Sequence, residues 1–207
     1  MGSNRTRPAI IPTAVASAIL AVGLSGCGSA AAPAAPPSRP SSAGSAPTSH
    51  PTEFNPPGDI PDTAVYLDRV VAGTTVHFVV PEGWAQASQG ATFTDKYNSI
   101  SVRVIPMPTP PTLVSVRRDE VPHLASSQSK FALIRIVETQ RASGRVILIT
   151  YLIDSAPDPV TGKVVRDAVQ QFDFWHAGRE AILTLTGPQS ADNVDPWKRV
   201  SDSLRWH

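Results

Sequence analysis

A single cysteine, Cys27, constrains this chain more than any other residue. It closes an apolar run, and no thiol follows it through residue 207. Whatever folds beyond Cys27 can form no internal disulfide. It must hold together by core burial alone. The remaining length suffices, because a domain of ~150 residues buries about 68–70% of the surface its chain would otherwise expose.

The residues before Cys27 read as an address. Arg5 and Arg7 form a short positive region, and residues 10–24 form an apolar run interrupted by Pro12. The run is shorter than the ~20 apolar residues of a membrane-crossing helix. Charge, apolar run and small residues in this order predict a secretory signal over residues 1–26. Its ending, Leu24-Ser25-Gly26-Cys27, resembles the bacterial lipobox. The resemblance implies cleavage between Gly26 and Cys27 and a diacylglycerol on the Cys27 sulfur. One acyl chain binds a bilayer only reversibly, whereas two anchor a protein stably. The expected location is the extracytoplasmic face of the cell membrane, held by lipid. Met1-Gly2 with Thr6 also matches a myristoylation pattern, but the apolar run that follows fits export instead.

Residues 28–61 are rich in Ala, Pro, Ser and Gly, and they carry nine prolines. Such a stretch cannot bury enough apolar surface to offset its ordering entropy. It predicts a disordered, partly polyproline-II tether over 27–61, in which His50 is inert. The globular domain is expected over 62–207. Two of the 18 basic residues precede Cys27 and no acid does, so the part beyond it carries 16 basic and 17 acidic side chains. That balance argues against a nucleic-acid partner.

Within the domain, residues 75–80 alternate Val76, Phe78 and Val80 with polar neighbours, the period of a half-buried strand. Pro81-Glu82-Gly83-Trp84 ends it in a turn, with Trp84 as a lid on the sheet edge. Residues 91–95 form a short strand with Phe93 inward, and Asp95 to Asn98 a hairpin turn. A strand over 99–105 presents Ile100, Val102 and Val104 on one face. Thr112 is a helix cap, a helix follows over 113–121, and Pro122 stops or kinks it. Its Arg117, Arg118, Asp119 and Glu120 are expected in solvent. Strands follow over 131–139, with Leu133, Ile134 and Ile136 as its apolar residues, then over 145–153, 164–176 and 180–186. The apolar density of 145–153 marks it as the central strand. A last helix begins at Asp195-Pro196, with Trp197, Val200 and Leu204 as its inward stripe. Short turns between consecutive strands imply an antiparallel sheet of six or seven strands with helices packed on it, an α+β fold.

Three segments carry a family likeness: Val80-Pro81-Glu82-Gly83-Trp84 closing a strand, the Phe93–Asp95 hairpin, and Trp197-x-x-Val200-x-x-Ser203-Leu204. With the strand meander between them, the layout resembles the PsbP-like fold of LpqN-type actinobacterial lipoproteins. The wider fold includes photosystem II extrinsic subunits and a Ran-binding import factor. The resemblance implies a binding or assembly module without catalysis.

The histidines His50, His77, His123, His176 and His207 are scattered, with no second His or Cys at metal-ligand spacing. Asp154, Asp158, Asp167 and Asp173 are too widely spaced for a calcium loop. No hydrolase elbow, phosphate loop or zinc-protease motif occurs in the sequence. The expectation is therefore no catalytic residues, no metal and no cofactor. Trp84 and Trp175 are the candidate binding surface, because Phe174 and Trp175 are adjacent and must point to opposite faces of their strand. The expected task is binding an envelope protein, lipid or glycan without catalysis. Carriage of an apolar ligand is an alternative that requires a cavity. An envelope hydrolase is a further alternative that requires a clustered acid, base and nucleophile.

Overall fold

The computed structural model describes residues 56–207. Gly26, Cys27, His50 and the tether as far as residue 55 lie outside the described residues. The domain is α+β. A seven-stranded antiparallel sheet has the order β3 (Ala85–Gln86), β4 (Ala91–Thr94), β5 (Ser99–Pro106), β9 (Arg179–Pro188), β8 (Arg166–His176), β7 (Gly144–Asp154) and β6 (Ala132–Arg141). A three-stranded sheet joins β1 (Tyr66–Val70), β2 (Val76–Pro81) and β10 (Arg205–Trp206).

The large sheet has two differently covered faces. On one, the three-stranded sheet and α3 (Val194–Ser203) enclose the main core. Val76, Phe78 and Val80 alternate inward from β2, as their spacing predicts, and Trp197, Val200 and Leu204 form the buried stripe of the last helix and its end. They meet Ile100, Leu183, Leu185, Phe172 and Phe174 from the sheet. The other face carries a smaller apolar cluster, in which Val116 and Leu124 pack on Ile136, Ile147, Ile149, Tyr151 and Val169.

Several expectations about the elements fail, each for a physical reason. Of the stop or kink expected at Pro122, the stop does not occur. The helix runs through α1 (Leu113–Ser115), a π-helical turn (Val116–Glu120) and α2 (Val121–Ser127). The Val121 N–H reaches back five residues to the Val116 carbonyl, which closes the wider turn. Pro122 thereby falls in the first turn of α2, where a missing N–H leaves no helical bond unmade. Thr112 caps the start as expected, in a reciprocal pair with Ser115. The 145–153 segment is not central: β7 is next to the edge strand β6, and β9 holds the middle. Its apolar density reflects burial on both faces, under the helix and under the main core. In β6 a bulge between Leu133 and Arg135 breaks the alternation, so Ile134 turns outward and is 56% exposed. The last helix is entered at Asn193 rather than Asp195.

Residues 58–60, which the sequence assigns to the tether, are packed on the domain. Asn98 and Asn193 each donate a side-chain N–H to the Gly58 carbonyl, at 3.0 and 2.9 Å. The Asn193 Oδ1 accepts the Ile60 N–H at 2.8 Å, and Ile60 is buried. Gly58 has φ +99°, and a Cβ there would stand 2.6 Å from the Pro188 ring. Only glycine tolerates both conditions.

Candidate functional site

The helix covers only part of its sheet face. Beside it lies an open cleft of about 640 Å³, within the size range of small-molecule sites. Glu120, His123, Leu124, Ser127 and Gln128 line its helix wall. Their spacing of three, four, seven and eight residues from Glu120 is that of one helical stripe. The floor comes from alternate residues of neighbouring strands in register. Ser101 of β5 opposes Thr184 of β9, which opposes Gln171 of β8. Arg103 opposes Ile182, which opposes Asp173. Val71, Ala72 and Ala91 close the far side. One wall is therefore apolar and the other polar.

Behind the polar wall lies a carboxyl cluster. Gln171 donates its side-chain amide to Glu120, and also to Asp173 Oδ1 at 3.1 Å. Asp173 is 2% exposed, and its second oxygen, Oδ2, has no hydrogen-bond partner among the described residues. Glu180 is 3% exposed. Burial holds the Asp173 carboxyl well above the usual carboxylate range, and the Glu120 charge adds to that, while the Gln171 bond opposes it. Burial and the Glu120 charge push Glu180 up to about 7, against the pull of Arg103. Burial, then Glu120 and Asp173, push the Tyr151 hydroxyl up to about 12. The site holds protons that carboxyls in water would release. Among the described residues, no group of three or more His, Cys, Asp and Glu side chains is arranged to hold a metal ion.

The sequence singled out none of this cluster as a site. Glu120 is expected in solvent, yet it lies against the sheet, where the Gln171 amide donates to it. A usable signal was present: Gln171 and Asp173 are two residues apart, so they share one face of a strand whose other face carries Phe172 and Phe174. Two buried polar groups on one strand face mark either a network or a cleft.

The two tryptophans are not brought together. Phe174 is buried in the main core and Trp175 projects from the opposite face, 36% exposed, as the alternation requires. The Trp175 indole N–H donates to the Met107 carbonyl at 2.7 Å. Trp84 is half-buried and packs on the main core. His77 pairs with Asp68 at 2.8 Å, and the His176 ring lies 5.6 Å from that of Trp206.

No protein-family model and no curated protein matches the sequence. Solved structures to which the chain is similar include a protein of unknown function from Pseudomonas aeruginosa, at 12% identity and TM-score 0.44, over 69% of this chain and 97% of that one. Another is the cyanobacterial PsbP of Synechocystis sp. PCC 6803, at 18% identity and TM-score 0.46, over 72% and 98%. A third is the Ran-binding protein Mog1p of Saccharomyces cerevisiae, at 12% identity and TM-score 0.40, over 62% and 79%.

Proposed function

We propose that this chain is a lipid-anchored protein of the bacterial cell envelope whose domain binds a protein or envelope component without catalysis. The observation that carries the binding half is the cleft, with one apolar and one polar wall. Such a lining recognises an amphiphilic group by burial on one side and by hydrogen bonds on the other. The anchoring half rests on Leu24-Ser25-Gly26-Cys27. Signal removal before Cys27 and lipidation of its sulfur leave the domain on a proline-rich spacer, clear of the headgroups. Carriage of an apolar ligand is the second reading, favoured by Val71, Val102, Val104, Leu124 and Ile182 on the cleft wall.

Two measurements test the proposal. Cys27→Ala releases the protein from membranes and blocks signal removal, while circular dichroism of the domain is unchanged. A Cys27→Ala protein that is processed and still membrane-bound contradicts the anchor. A pull-down from native membranes recovers a partner with the wild type and loses it with Ser101→Trp, which fills the cleft. Recovery of the same partner by both contradicts the cleft as the binding surface.

A further inference from the structure

The cleft wall is unbalanced in charge. Glu120, Asp173 and Glu180 bring three carboxyls to one place, and Arg103 is the guanidinium set against them. The other groups facing Glu120 are the Gln171 amide from β8, the Tyr151 hydroxyl from β7, and His123 one turn along the helix. A buried polar atom without a hydrogen-bond partner is unfavourable by about 1–3 kcal/mol, so folded proteins seldom leave one. Asp173 Oδ2 is such an atom among the described residues; its residue is 2% exposed and lies on the strand face that forms the cleft floor, behind the residues that line the cleft. Its other oxygen shares Gln171 with Glu120, and both of those residues line the cleft. A cationic donor reaching Glu120 from the cleft is what this network can accept once the buried proton leaves.

We propose that the cleft binds a small molecule carrying an ammonium group, which docks on Glu120 with Asp173 and Glu180 behind it and lays its apolar body along the opposite wall. This rests on the reading of the cleft as the binding surface and names its ligand class. A metal ion is a poorer match, because the carboxyls do not converge at ligating distance and a hydrated ion has no use for the apolar wall. A carboxylate or phosphate ligand would meet like charge at Glu120.

A consequence separates this site from a generic apolar groove. An arriving cation stabilises the charged form of the carboxyls, so it displaces a proton that Asp173 or Glu180 holds in the empty site. Affinity for the amine then rises with pH, by up to about tenfold per unit for one proton released.

The test uses the full chain in a nonionic detergent and phenethylammonium as the probe, with phenethyl alcohol and phenylpropionate as isosteric controls. Calorimetry in two buffers of different ionisation enthalpy counts the protons released. The expected result is binding of the amine at least about tenfold tighter than the alcohol, no binding of the carboxylate, and release of about one proton or somewhat less. Glu120→Gln weakens amine binding about tenfold or more and leaves the alcohol unchanged. Arg103→Met strengthens amine binding, an outcome that a damaged fold cannot produce. Equal binding of amine and alcohol, or an amine affinity that is flat in pH, overturns the inference. If the amine fails while Ser101→Trp still abolishes recovery of a membrane partner, the ammonium ligand is wrong and the cleft as a binding surface stands.

Discussion

Glu180 makes the stability of this domain fall as pH rises, against the trend set by ordinary paired carboxylates. Its carboxyl is 3% exposed, and its pKa lies at about 7 against an ordinary 4.5. The sign follows from proton counting. Between those two values the folded protein still holds the proton and the unfolded chain has lost it. Raising pH therefore favours unfolding across that window. Each pH unit inside it removes about 1.4 kcal/mol, so Glu180 contributes a loss of about 2–3 kcal/mol between pH 4.5 and 7. Asp167, pushed up to about 6 chiefly by burial, and Asp173 act in the same direction. Asp68, Asp119 and Asp158 have lowered pKa values, so their share is lost only as pH falls below the ordinary carboxylate range, outside the window. Glu180→Gln isolates the effect, since the amide has the same shape and no charge to desolvate. Urea unfolding at half-unit steps from pH 4.5 to 8 reads it directly. The variant matches the wild type at the acid end and exceeds it by about 2–3 kcal/mol at pH 8. Parallel curves for the two proteins, or a wild type that gains stability through this window, refute the reasoning.

Two further outcomes concern packing. Asn193→Ala removes the acceptor of the buried Ile60 N–H and the donor to the Gly58 carbonyl; unfolding stability drops by about 2–3 kcal/mol, and hydrogen exchange at residues 58–60 accelerates before that of the sheet. Trp197→Ala leaves a cavity beneath α3, where Trp197 is 6% exposed, and lowers stability by about 3–5 kcal/mol, with the cleft face unaltered in amide chemical shifts.

Much of the fold was legible because strand alternation and one helical stripe are short-range signals. Val76, Phe78 and Val80 reported their burial by spacing alone, as did Trp197, Val200 and Leu204. The Asp95 turn was legible from its type, and the Asp95 carboxylate does accept the Tyr97 and Asn98 N–H groups, at 2.7 and 2.6 Å. The failures lie where tertiary context overrides a local rule. Pro122 breaks a regular α-helix, but a π turn resets the phase before it. Glu120 stands four residues after the buried Val116, on the same helix face, so its charge rather than its spacing concealed its place against the sheet. The apolar run of β7 says that both its faces are covered, which a strand one place from the edge satisfies as well as a middle strand does. Glu180 lies at the start of an apolar strand, and its burial beside Glu120 is a tertiary feature that no local pattern encodes. Residues 58–60 look like tether by composition; what pins them are two asparagines 40 and 135 residues away in the chain.

If the cleft beside the helix is the working surface of a membrane-moored domain, as proposed, a partner sits within reach of its wall in the cell, and site-specific photo-crosslinking in intact cells reads that contact. One probe replaces Ser127 on the cleft wall, and a second replaces Val194 at the start of α3, which packs on the opposite face of the sheet and is 69% exposed there. The expected result is a discrete adduct from position 127 in the membrane fraction and none from position 194. Adducts of equal yield from both positions, or from position 194 alone, rule out the cleft as the working surface.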